Sequence, residues 1–168
     1  KFVKELKNHF GNKLDWFGNG VNYISTKWEG ISNYKYHIAI ENNFQQNIIS
    51  EKLYDAYLGL SFPLYAGAEN VYDYFPKKSL EKINIFDLEK SITKIETVIS
   101  SNLYEERIGM LIKSKQLVCE KYNPFYRILD IVNNENSLKN SDEFNLTQIY
   151  SKQFYYNSIV SKNEKIRD

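Results

Sequence analysis

Residues 34–67 read YKYHIAIENNFQQNIISEKLYDAYLGLSFPLYAG, and the fold follows from how this stretch is parsed. Tyr36, Ile38 and Ile40 alternate with His37 and Ala39, and neither set is strongly polar. That pattern predicts a strand covered on both faces, as in a parallel sheet. A polar loop follows Glu41-Asn42, and a helix is expected to open at Glu51-Lys52 behind Ser50 as N-cap. Leu53, Ala56, Tyr57 and Leu60 form one apolar stripe at helical spacing. Gly59 and Pro63 mark the turn into a second apolar strand, Phe62–Ala66. This strand–loop–helix–strand unit places the loop and helix start at the carboxyl edge of the sheet, where open α/β folds bind ligands.

The chemistry at that edge is polar and charged. Free N–H groups at a helix start attract phosphate, and Lys52 adds a full positive charge. The neighbouring carboxylate of Glu51 suits sugar hydroxyls. Together they fit a nucleotide diphosphate joined to a sugar, although an ordinary capped helix with a solvated first turn has the same composition.

The stretch resembles the donor-binding motif of the family 10 glycosyltransferases, the α-1,3/4-fucosyltransferases. Tyr34-Lys35-Tyr36, Glu41-Asn42, Ser50-Glu51-Lys52, Gly59 to Pro63, Gly67, and Phe75-Pro76 with Ser79 carry the likeness, across roughly residues 13–90. Two positions depart from the pattern: Ile48 stands where an aromatic precedes the Glu-Lys pair, and Asn43 where a small hydroxyl residue follows Glu41-Asn42. The resemblance implies the donor-binding half of a two-domain enzyme of the GT-B type, with GDP-fucose as donor and a glycan as acceptor. Transfer would invert the sugar, with the general base in the other half. It further implies that Glu51 binds ribose, Lys52 the pyrophosphate and Asn42 the donor, with Glu41 supporting Asn42. A Gly at the Gly18 position follows a strand in the family, so close approach to the nucleotide is one reading there; a plain turn is the other. In the family a phosphate-binding Arg lies just upstream of the helix corresponding to residues 1–10, so the chain reads as an N-terminally truncated fragment.

Residues 1–132 therefore read as a Rossmann-like domain, with three or four strands alternating with helices. The first helix is expected over residues 1–10 on Phe2, Leu6 and Phe10, and a short strand over Lys13–Phe17. A crossover over Thr26–Ile31 puts Trp28 over the core, and Ile83 and Ile85 suggest a further short strand. Asp87 caps a helix with Leu88, Ile92, Ile95 and Ile99 inward. A longer helix over Asn102–Lys121 turns Leu103, Ile108, Leu111, Ile112 and Val118 inward, and a last helix lies around Phe125–Val132. Residues 133–168 read as a polar linker from Asn133 to Glu143, then a tail helix.

The 168 residues carry a formal charge of +1, which argues against a nucleic-acid partner gripped by a broad basic surface. No apolar run approaches the roughly 20 residues needed to span a bilayer. The tail mixes aromatics with Lys and Arg, which suits either packing on the domain or peripheral membrane contact. Bacterial members of the family often attach that way, so a cytoplasmic or cytoplasmic-face location is expected, and the Golgi if the source is eukaryotic. His9, His37 and Cys119 do not fall at metal-ligand spacing, and no Asp-x-Asp marks a strand end. A metal-free site is therefore expected, with Lys52 and the helix start offsetting the leaving group's charge. Two alternatives stay open: a non-catalytic glycan- or nucleotide-binding module of the same fold, and a related transferase using another nucleotide sugar.

Overall fold

A computed structural model of the chain describes residues 1–18 and 20–137, excluding the side chains of 135–137. Contacts divide the chain into two compact units, 1–129 and 130–168. The first unit is built on a parallel sheet of three strands: β1 (Tyr36–Ile40), β2 (Phe62–Ala66) and β3 (Glu81–Lys82), in the order β1-β2-β3. The helices are α1 (Phe2–Phe10), α2 (Glu51–Leu58), α3 (Leu88–Ser100), α4 (Leu103–Gln116) and α5 (Pro124–Ser137). A π turn, Leu117–Lys121, prolongs α4.

β2 is the central strand, and all five of its residues are buried. It pairs with β1 in the register Tyr36↔Phe62 to Ile40↔Ala66. Pro63 sits inside this central strand, where its missing N–H would ordinarily break a ladder. It is tolerated because alternate residues point to opposite neighbours. Phe62 N–H bonds to Lys35 O (2.7 Å) on the β1 side, so Pro63 faces the β3 side. There the ladder begins only at Leu64↔Glu81.

β1 is covered on both faces, though less deeply than an interior strand of a parallel sheet. It is a sheet edge, and only Ala39 among its five residues is fully buried. Its even apolar pattern reflects shielding by side chains on both faces, whereas the outer backbone edge is set by topology. Other expectations shift for similar reasons. Residues 13–17 form no strand: a 3₁₀ turn covers Gly11–Lys13, and no pairing follows it. Trp28 lies in a 3₁₀ turn, Lys27–Gly30, and is 55% exposed rather than over the core. The third strand is Glu81–Lys82, ahead of Ile83 and Ile85, and it is fixed to α3 and α4 by charge. Glu81 pairs with Lys94 of α3 (3.0 Å) and Arg107 of α4 (2.9 Å). α3 faces inward through Ser91, Ile95 and Val98, leaving Ile99 exposed. In α4, Leu111 and Ser114 are inward and Ile112 is exposed. α5 continues to Ser137, through the start of the segment expected to be a linker. The remaining linker and the tail helix lie outside the described residues.

The α2 stripe anchors the core, with Leu53, Ala56 and Tyr57 fully buried. Tyr57 brings its hydroxyl inside, where Ser79 meets it at 2.8 Å, as a buried phenol requires. Burial drives the Tyr57 phenol well above its ordinary pKa. Helix α2 ends in paired bonds, Ser61 N–H to Ala56 O and Leu60 N–H to Tyr57 O, the Schellman pattern. The left-handed residue there is Leu60 (φ 55), while Gly59 is helical (φ −77). Gly59 is needed instead for space: a Cβ there would meet Ile31 Cγ2 at 2.2 Å.

Candidate functional site

The unit expected at the carboxyl edge forms with the boundaries read from the sequence, β1–loop–α2–β2. Glu41 directly follows β1, its N–H extending the ladder to Ala66 O (2.8 Å). Its side chain is the hinge of the corner. The carboxylate is buried, and both oxygens take hydrogen bonds from Ser50, one from the backbone N–H (2.8 Å) and one from Oγ (2.5 Å). Ser50 Oγ in turn accepts the N–H of Lys52 (3.3 Å), as an N-cap does. A strand end and a helix start, nine residues apart, are thus tied through one carboxylate.

Lys52 stands on this tie. Its Nζ lies 3.4 Å from Ser50 Oγ and 3.2 Å from Glu51 Oε1, with about a third of the side chain exposed. Glu51 is more open. Its own backbone N–H, then Lys52, hold its carboxyl below the ordinary value. The helix start therefore presents an acid and a base side by side. Asn42 is exposed beside Glu41 at the strand end. Gly18 lies elsewhere along the chain, in a turn closed by Gly18 N–H to Asn22 O (3.0 Å). Its φ of +148° favours glycine, and a Cβ there would meet nothing within 4 Å.

The loop between Glu41 and Ser50 is held chiefly by Asn47, Asn70 and Tyr74, which the pattern reading did not single out. Asn47 adopts φ 66, donates its N–H to Asn70 Oδ1 (2.9 Å), and accepts from Asn70 (2.7 Å) and from Tyr74 Oη (2.7 Å). Asn43 closes an Asx-type turn by accepting Gln45 N–H (2.9 Å). Ile48, the departure from the aromatic, is 39% exposed. An Asn able to adopt φ > 0 after a polar run was the available sequence signal, but its partner lies 23 residues away.

Gly67, just beyond β2, packs against this corner more tightly than any side chain would permit. A Cβ there would lie 2.3 Å from Tyr65 Oη and 2.5 Å from Glu41 Cγ. Gly67 also lines a cleft of about 410 Å³, together with Phe44, Tyr65, Lys82 and Phe86. It lies outside the carboxyl ends of β2 and β3, as expected for a ligand site of an open α/β sheet. Among the described residues, no three of His, Cys, Asp and Glu cluster as a metal site would require. Nor is any helix among them long and apolar enough to cross a membrane.

The family model for the C-terminal region of glycosyltransferase family 10 (fucosyltransferase) matches residues 1–105, which include the whole Glu41–Lys52 corner and the Gly67 turn. The chain belongs to glycosyltransferase family 10. Among curated relatives, the mouse 4-galactosyl-N-acetylglucosaminide 3-α-L-fucosyltransferase 9 is 29% identical over 102 residues, covering 59% of this chain and 27% of the relative. An Arabidopsis thaliana α-(1,4)-fucosyltransferase is 42% identical over 50 residues, covering 30% of this chain and 12% of the relative. The chain thus spans about a quarter or less of the length of these relatives. Two solved structures of an α1,3-fucosyltransferase also match. The one with GDP is 27% identical at a TM-score of 0.48, covering 58% of this chain and 28% of that one. The one with GDP-fucose is 25% identical at 0.49, covering 66% and 36%.

Proposed function

We propose that this family 10 chain is the donor-binding half of an inverting fucosyltransferase, holding GDP-fucose while a glycan hydroxyl attacks the sugar. The observation that carries the reading is the Glu41–Ser50–Lys52 tie, inside the region that matches the family. It fixes a cation and a helix N-terminus at the carboxyl edge of the sheet. Lys52 and the α2 N–H groups would bind the pyrophosphate, where charge accumulates as the glycosidic bond breaks, and so stabilise the departing GDP. Glu51 would accept hydrogen bonds from the ribose hydroxyls, and Asn42 would bond the donor from the strand end. Glu41 would act through Ser50 rather than by touching ligand. No metal is required in this scheme, because Lys52 and the helix start supply the positive charge. The mouse relative's name, which specifies fucose transfer to a 4-galactosyl-N-acetylglucosaminide, supports a fucose donor and a glycan acceptor of that class. The general base that takes the acceptor's proton belongs to the acceptor-binding half in this reading.

Isothermal titration calorimetry of the full chain with GDP and UDP tests it. GDP should bind more tightly than UDP, with an affinity that EDTA leaves unchanged. A preference for UDP would move the assignment to another nucleotide sugar, and a chelator-sensitive affinity would overturn the metal-free scheme.

A further inference from the structure

The Lys52 corner is braced from a part of the chain outside the region that matches the family, which ends at residue 105. Helix α4 does not finish as a regular α-helix. Leu117–Lys121 forms a π turn, a rare geometry that recurs at functional sites, and Tyr122 N–H closes it on Leu117 O (2.9 Å). Tyr122 then reaches both sides of the corner. Its ring stacks on Tyr54 of α2, two residues beyond Lys52, with centroids 6.3 Å apart and 12° between the planes. The same ring meets the core residue Phe75 edge-on at 5.4 Å. Its hydroxyl donates to Tyr74 O (2.9 Å).

Packing alone would be served by a phenylalanine, because the ring contacts do not involve the hydroxyl. What the hydroxyl holds is Tyr74, and Tyr74 holds the loop: its own hydroxyl donates to Asn47 Oδ1 (2.7 Å). Tyr74 is thus gripped at its carbonyl by Tyr122 while its side chain grips Asn47. Asn47 needs that grip. It stands at φ 66, a backbone conformation that Asn adopts at some cost when its side chain is bonded nearby. Its Oδ1 accepts from Asn70 Nδ2 as well as from Tyr74 Oη, and release of Tyr74 would leave one donor of the two. The loop so held begins at Asn42 and ends at Ser50, the cap beneath Lys52, so its shape sets the placing of both ends. We infer that Tyr122 is a positioning residue for the donor site, acting through Tyr74 and Asn47 on the loop over residues 42–49 and touching no ligand itself. The assignment rests on the donor reading above for what the loop positions, and on the contacts alone for how the loop is held.

Tyr122→Phe, made in the full chain, removes the hydroxyl and keeps the ring. Hydrogen exchange followed by NMR reads the loop directly at the Asn47 N–H, which donates to Asn70 Oδ1 (2.9 Å). Exchange there should quicken roughly three- to tenfold, the range set by loss of one neutral hydrogen bond. A contact that only stabilised the fold would quicken the buried β2 amides, which exchange on global opening, and leave the exposed loop as it was. GDP affinity, measured by calorimetry well below the melting temperature, should fall about twofold or more, because the binding-competent loop is less populated. Asn47→Gly keeps a left-handed backbone accessible and removes the acceptor, so it should weaken GDP as well. Adding Tyr122→Phe to it should then change the affinity no further, since both act through one clasp. The inference is overturned if Asn47 exchange stays as in wild type, if GDP affinity is unchanged while that exchange quickens, or if the two substitutions weaken GDP additively. Failure of the donor reading looks different: wild-type protein would not bind GDP, yet Asn47 exchange would still respond to Tyr122→Phe.

Discussion

Glu41→Gln tests whether the corner is held as described. The substitution keeps the shape of the side chain and removes its charge. In the native corner the carboxylate accepts two hydrogen bonds from Ser50, at 2.8 and 2.5 Å, from a site only 4% exposed. A hydrogen bond to a charged group contributes about 1.5–3 kcal/mol and a neutral one about 0.5–1.5. The glutamine oxygen can still accept the Ser50 N–H. Its NH₂ group must then face Ser50 Oγ, which has to surrender its own donor role and receives a third donor beside the N–H and Nζ of Lys52. One charge-assisted bond becomes neutral and the other reverses, so a loss of about 2 kcal/mol is expected. Urea denaturation of wild type and variant, with unchanged m-values, reads this directly. A double-mutant cycle with Ser50→Ala isolates the pair, and a coupling of about 1–2 kcal/mol is expected for residues in direct contact. A stability within about 0.5 kcal/mol of wild type, or additive single variants, would refute the claim that Glu41 ties the strand end to the helix.

Four further outcomes follow from the same structure. Lys52→Ala should weaken GDP binding by about 2 kcal/mol through loss of one charge-assisted phosphate contact, measured by calorimetry; an unchanged affinity would remove Lys52 from the site. Gly67→Ala sets a methyl group 2.3 Å from Tyr65 Oη and 2.5 Å from Glu41 Cγ, so it should destabilise by about 1–3 kcal/mol and reduce GDP affinity with it. Gly109→Ala, in mid-α4 with open space around the new methyl, should instead stabilise by roughly 1 kcal/mol, seen as a higher urea midpoint. Burial holds the His37 imidazole below its ordinary value of 6.5, against an upward pull from Asp55. The unfolded chain therefore binds the extra proton first, so stability is complete above about pH 6.5 and declines as pH falls below it. His37→Gln should flatten that decline, and an identical pH profile would show that another group is responsible.

Residues 34–67 were legible because their determinants are local. The alternation in β1, the Ser50 cap, the Leu53/Ala56/Tyr57 stripe and the apolar run of β2 each act within a turn or a strand, and the observed boundaries follow them. The placement of Glu51 and Lys52 on the first turn of α2 was likewise fixed by chain order. Contacts across long separations were not legible. Nothing near Trp28 tells that it stays exposed, and nothing near Ile83 tells that the strand stops one residue before it, with the Ile83 N–H making the last bond to β2 at Tyr65 O. Both depend on which element arrives alongside. The Asn47–Asn70–Tyr74 clasp and the Phe44–Phe86 pair join segments 23 to 42 residues apart, and β1 became an edge because of strand order rather than composition. Hydrophobic period and capping chemistry act along the chain, so the sequence alone determined the elements of residues 34–67 and the charge at the helix start. Which side chains meet across the sheet edge depends on packing geometry, and only the tertiary structure decided that Glu41 would hold Ser50 and that a cleft would open beside Gly67.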